Sequence, residues 1–246
     1  MTHIKDQDLI TASYCTELYK LGGNYLELSF YQRAIVAGIK AAFENTNDVT
    51  NFDKLDIAIS KAITKTLLSD KRFSITHLEH ELRTLHAYCA NQVYQFFKVY
   101  PPSEWIVVVS DAMIPDNYKS TSFLFFYDMI LRKRNDSRLH FHIIDFIKDV
   151  ELAQSSEVFS YKFGLSSKLL KRTFNNFKIK YHIFSFKDYN ANNLTLPLLS
   201  QKEIFRNNYI TLGKYYEIPL NIDTYPKRMI CYDKKCPKRK ECMKDV

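Results

Sequence analysis

Apolar side chains recur at helical spacing through most of the first hundred residues. In NYLELSFYQRAIVAGIKAAFE, from Asn24 to Glu44, they form a stripe that Asn24 is placed to cap. NFDKLDIAISKAITKTLL repeats at i, i+3 and i+4, and Ser74 or Thr76 opens the long segment ITHLEHELRTLHAYCANQVYQFFKVY. Pro101 and Pro102 end that pattern. The character then changes. WIVVVSDAMI, SFLFFYDMILR and RLHFHIIDFI are rich in β-branched and aromatic residues, and Asn135, Asp136 and Ser137 supply a turn between the second and third. Helical spacing returns in SSEVFSYKFGLSSKLLKRTFNNF. A strand KYHIFSF follows, then a loop through DYNANNLTLP and a helix SQKEIFRNNYITLG that stops near Gly213. The order predicts a single α/β domain over 1–246, with a helical part (1–100), an α/β core (101–225) and a basic cysteine tail (226–246).

Composition narrows the class. Hydrophobic residues make up 46% and aromatics 15% of the 246 residues, enough for one full-sized core and too much for a disordered chain. The longest apolar runs are far too short to span a bilayer, so no membrane partner is expected. The polar start MTHIKDQDLIT has no leader-like apolar run, which points to an intracellular (cytoplasmic) protein with reduced thiols. In that setting five cysteines suggest metal binding or chance before disulfides.

Charge is concentrated at one end. The net charge is +8, of which the last 20 residues carry +5. A positive lobe of this kind is a common footprint of a polyanionic partner, although a solvated tail has the same composition. Cys231, Cys236 and Cys242 lie within that lobe without a nearby histidine, so a four-ligand metal site lacks one donor.

Asp128 and Asp145 fall on neighbouring predicted strands inside apolar surroundings. Buried carboxylates need a cation, donors or water. Two that converge across a hairpin can seat Mg²⁺ or Mn²⁺, whereas two that merely end their strands face solvent. The pattern YDMIL…LHFHIIDFIKD resembles the RecB-like PD-(D/E)XK nuclease core, in which an Asp on one strand precedes an Asp/Glu-x-Lys on the next. In that family the next helix carries Gln-x-x-x-Tyr, and Glu157 and Tyr161 stand at this spacing. One subset, which includes CRISPR-associated exonucleases and AddB-type nuclease domains, binds a [4Fe–4S] cluster through one early and three late cysteines. Here Cys15 joins Cys231, Cys236 and Cys242 in that order.

The resemblance implies a restriction-endonuclease-like mixed sheet flanked by helices, and Mg²⁺- or Mn²⁺-dependent hydrolysis of DNA. Asp128 and Asp145 would be metal ligands and Lys148 the charge stabiliser, with Lys162 as another cation within reach. It also implies a DNA surface over Glu157, Tyr161, Lys162, Arg132, Lys171 and Arg172. The substrate would be single-stranded DNA or a duplex end, with a protein partner in a DNA-processing complex. The chain departs from the family pattern at four points. Ala42 stands where an early-helix His is usual, Phe125 replaces a Gly and Glu157 a Gln, and Lys148 comes one residue late, off the face of Asp145 under strict alternation. Two further readings follow: a catalytically decayed nuclease fold serving as a DNA-binding or scaffold subunit, and a zinc-stapled regulatory module without Cys15.

Overall fold

The computed structural model describes residues 2–14, 27–44, 52–69, 79–118, 121–136, 139–148, 158–159, 161–165, 177–185 and 194–195, with positions 19, 22, 24, 170 and 174. It is an α/β structure in which helices cover both faces of a mixed sheet. The strands are β1 (Thr2–Lys5), β2 (Trp105–Tyr118), β3 (Thr121–Lys133), β4 (Leu139–Phe146), β5 (Phe177–Phe184) and β6 (Leu194–Thr195). The helices are α1 (Asp6–Tyr14), α2 (Phe30–Glu44), α3 (Phe52–Leu68) and α4 (Glu79–Val99). Residues 158–159 and 161–165 are also helical. No helix among the described residues is long and apolar enough to cross a membrane.

Strand β3 organises the sheet. Antiparallel β2 lines one of its edges from end to end. The opposite edge is shared: β1 pairs parallel with residues 121–124, and β4 pairs antiparallel with 129–132. The sheet continues outward through β5, parallel to β4, and the short β6. The C-terminal ends of β1 and β4 therefore converge on residues 125–128 of β3, which no described strand pairs on that edge.

Each face has its own core. Phe123, Phe125 and Tyr127 of β3 join Phe141, Ile143, Tyr181 and Ile183 under Leu9 and Ile10 of α1 and the helical residues from Val158 onward. On the other face Met129, Leu131, Ile144, Phe146 and Phe184 pack against α2, α3 and α4. Tyr127 and Met129 would share a face in a regular strand. They lie on opposite faces, so β3 breaks its alternation at Asp128. Across the ladder from Asp128 stands Asp111, whose φ of 52° is left-handed, a rare and costly backbone state for a residue with a Cβ.

Sequence boundaries shift at several places for identifiable reasons. Helix α2 begins at Phe30, so Asn24 does not cap it. A reciprocal box caps it instead: the Gln32 N–H donates to Ser29 Oγ at 3.4 Å, and the Ser29 N–H donates to Gln32 Oε1 at 3.0 Å. Strand β1 was not expected, because a stretch of only four residues carries almost no periodic signal. Two residues of the expected loop, Leu194 and Thr195, form β6. Ser74 and Thr76, the expected helix 200–213 and the cysteine tail lie outside the described residues.

Gly38 brings α2 close to its neighbours. A Cβ there would stand 2.9 Å from Val93 Cγ2 of α4 and 3.1 Å from Ile63 Cγ1 of α3. Gly38→Val is therefore expected to destabilise the protein by about 1–3 kcal/mol through overpacking. Urea unfolding should show this as a lower midpoint at unchanged slope.

Candidate functional site

Two backbone donors in the gap of β3 set the site. The Phe126 N–H donates to Asp6 Oδ2 at 3.1 Å, and the Asp128 N–H donates to Asp145 Oδ1 at 3.1 Å. The missing strand is thus replaced by two carboxylates, one arriving with α1 and the other on β4. Between them lies the Lys162 ammonium, 2.9 Å from Asp6 Oδ2 and in contact with Asp145 Oδ2. All three side chains are at most 5% exposed. Removing charge from water at this depth is costly, so the arrangement holds only because every charge has a partner.

Neighbours fix that triad. The Tyr181 hydroxyl donates to Asp145 Oδ2, and the Tyr127 hydroxyl donates to the Lys162 carbonyl at 2.8 Å. The Lys162 ammonium also lies 5.0 Å from the Tyr127 ring centre and 5.6 Å from that of Phe159. Burial opposes the Lys162 cation, but Asp145 and Asp6 outweigh it and hold the ammonium well above its ordinary range. Burial pushes the Asp6 carboxyl up against the pull of Lys162. Burial and Asp145 together hold the Tyr181 hydroxyl neutral.

Asp128 stands beside this triad with 29% of its side chain exposed. Its Oδ2 accepts the Phe146 N–H at 2.8 Å, so each member of the Asp128–Asp145 pair is anchored by backbone of the other's strand. Its Oδ1 lies 3.3 Å from the Lys40 ammonium of α2, which also contacts Asp111 Oδ1 at 2.5 Å. Burial and the nearby Asp145 charge push the Asp128 carboxyl up to about 6, despite Lys40.

Asp6, Asp111, Asp128, Asp145 and Lys162 line a cavity of about 390 Å³ that also includes Glu27 and Arg33, themselves an ion pair at 3.4 Å. With Lys40 behind the wall, four carboxylates face two ammoniums, leaving two negative charges. The donors are all oxygen, which suits a hard divalent cation. Among the described residues, no group of three or more His, Cys, Asp or Glu side chains is arranged to hold a metal. A two-carboxylate seat matches the way Mg²⁺ is commonly held, with water and substrate phosphate completing its shell.

The expected residues distribute unevenly. Asp128 and Asp145 meet, and Lys162 reaches Asp145. Lys148 does not come to the pair: pairing runs unbroken through Phe146 and Phe184, and the Ile147 N–H continues it to the Phe184 carbonyl at 2.8 Å. No bulge turns the chain, so Ile147 lines the cavity and Lys148 is exposed. Tyr161 is buried, with its hydroxyl donating to Asp116 Oδ2 at 2.5 Å. Arg132 is half-buried on β3, about 13 Å along the strand from Asp128. Glu157, Lys171, Arg172, Cys15, Cys231, Cys236 and Cys242 lie outside the described residues. Cys89 is fully buried beneath α2.

Asp6, Lys40, Asp111 and Tyr181 were not expected. Lys40 had a readable signal, being the one charged residue between Ala34 and Phe43. Asp6 had none, since an acid at the start of a helix ordinarily serves the backbone and dipole there. No protein-family model and no curated protein matches the chain.

The raised Asp128 carboxyl fixes a sign. Its ionisation is harder in the folded than in the unfolded state, so its contribution to stability is full below pH 4 and is lost as pH rises through about 6. In chelator at pH 7.5, Asp128→Asn should be more stable than the parent by about 1–2 kcal/mol, and this gap should close towards pH 4. Thermal melts across that range measure it. Lys162→Met should instead cost about 3–5 kcal/mol, because it leaves Asp6 and Asp145 buried without their cation.

Proposed function

We propose that the chain is a divergent, metal-dependent DNA nuclease of the RecB-like PD-(D/E)XK type, hydrolysing phosphodiester bonds. The observation that carries this reading is the convergence of Asp128 and Asp145 beside a buried lysine, in a cavity left with two uncompensated negative charges. Mg²⁺ or Mn²⁺ bound there would lower the pKa of a water molecule and neutralise charge developing on the phosphate. Asp128 and Asp145 would hold the ion. Lys162, fixed by Asp6 and Asp145, takes the stabilising role that the sequence pattern assigned to Lys148. The exposed Lys133 and its neighbour Arg134 at the end of β3 supply positive charge for a nucleic-acid backbone.

The [4Fe–4S] cluster on Cys15, Cys231, Cys236 and Cys242 belongs to the same reading. Cys15 follows directly on α1, the helix whose first residue is Asp6. A cluster holding Cys15 would therefore brace the element that positions Lys162, a structural task with no part in the hydrolysis.

A second reading has its own support. Both Asp128 oxygens already have partners, and the described residues offer no third carboxylate or imidazole arranged as a ligand. A nuclease fold with a closed site would serve as a DNA-binding or scaffold subunit.

Cleavage of linear duplex and single-stranded DNA in Mn²⁺ separates the two. Asp128→Asn should fall at least about a hundredfold below the parent while still binding DNA, as expected when a group that acts in the transition state is removed. Binding without cleavage by the parent, or cleavage unchanged in Asp128→Asn, sinks the enzymatic reading. Metal analysis after anaerobic purification tests the cluster: iron with acid-labile sulfide in the parent and neither in Cys15→Ser. Zinc or no metal, indifferent to Cys15→Ser, would remove it.

A further inference from the structure

Lys40 is oddly placed for a structural residue. It projects from an otherwise apolar stretch of α2, with only 16% of its side chain exposed, to the Asp128 oxygen that has no backbone donor among the described residues. The other oxygens of the carboxylate pair are engaged more firmly. Asp128 Oδ2 holds the Phe146 N–H, Asp145 Oδ1 holds the Asp128 N–H, and Asp145 Oδ2 holds Lys162 and Tyr181. Asp128 Oδ1 is thus where an incoming cation finds its best lone pair, and Lys40 already sits on it. A second anchor lies on the far side of the ammonium: Asp111 Oδ1 at 2.5 Å, on a carboxylate that is 72% exposed. Asp111 is carried on the left-handed residue opposite Asp128, where both strands lose regularity. Backbone strain of this kind persists where the surroundings impose it and concentrates at functional positions.

We propose that Lys40 is an internal counter-ion that competes with the divalent cation for Asp128 and retreats to Asp111 when the cation enters. This rests on the reading of Asp128 and Asp145 as the cation's seat. Lys40 holds the carboxylate pair together in the ion-free protein and sets how much divalent ion is needed to fill the site. Asp111 lowers the cost of yielding by keeping the displaced ammonium paired. No bond is made or broken, and one cation replaces another on the same oxygen.

Calorimetric titration of the full chain with Mn²⁺ alone tests this without reference to cleavage. Lys40→Gln should bind Mn²⁺ about tenfold more tightly than the parent, the order expected when a like charge leaves a partly buried site. Lys40→Arg, which keeps the charge, should stay near the parent. Equal or weaker binding in a folded Lys40→Gln overturns the proposal. Should that variant not fold, Asp111→Asn carries the test. It should weaken Mn²⁺ binding severalfold in the parent, because Lys40 then has only Asp128, and unchanged affinity overturns the idea. Asp128→Asn separates the two levels. If it binds Mn²⁺ like the parent, the seat itself is elsewhere and the nuclease reading fails. If it loses binding while Lys40→Gln gains nothing, only the competition fails.

Discussion

The Lys162 ammonium, held between Asp6 and Asp145, is the contact on which the rest of the structure turns. A strand edge shared by two partners that stop short of each other leaves backbone donors exposed to an apolar interior. Orphaned donors of this kind are rare because each costs as much as a lost hydrogen bond. Here side-chain carboxylates take the place of a strand, and that solution creates a new difficulty, since two buried anions cannot stand close together unaided. Lys162 resolves it. The same ammonium ties α1 to β4, and so ties the chain's first elements to its central hairpin.

Asp128 obeys a different logic. Beside a triad of two carboxylates and one ammonium, it ionises against burial and the Asp145 charge, which lowers stability at neutral pH. Groups of this kind commonly mark places where structure serves chemistry at the expense of rigidity. The break in β3 alternation, the left-handed Asp111 and the lone lysine of α2 all gather around that one residue. On the opposite face α2, α3 and α4 pack closely, with Gly38 permitting the approach.

Much of the architecture was legible in residue patterns. The three-stranded meander and the long helices follow from periodicity, since each buries one well-defined face. Asp128 and Asp145 could be paired because an antiparallel hairpin brings predictable positions opposite each other. The rest depended on contacts that no local pattern encodes. Lys162 reaches the pair from a later helical segment, and Asp6 from the first residue of α1, just behind a strand too short to show alternation. Lys148 follows strict alternation away from the site, so only the absence of a bulge decides its place. Ser29 and Gln32 did carry a visible capping pattern, SFYQ, overshadowed by the asparagine upstream.

The parallel pairing of β1 with β3 has a consequence for how the protein comes into being. Thr2 meets Thr121, so β1 must wait for more than a hundred later residues before it finds its partner. Contacts across such long loops form late, because the entropy of closing the loop is spent before the contact returns anything. The β3–β4 hairpin can assemble on its own local terms, with Asp145 already beside Asp128. Asp6 arrives afterwards and clamps Lys162 in place. Docking of the N-terminal strand is then the step that completes the site, and a chain halted before it would hold a nearly finished sheet with an unsealed, negatively charged fork.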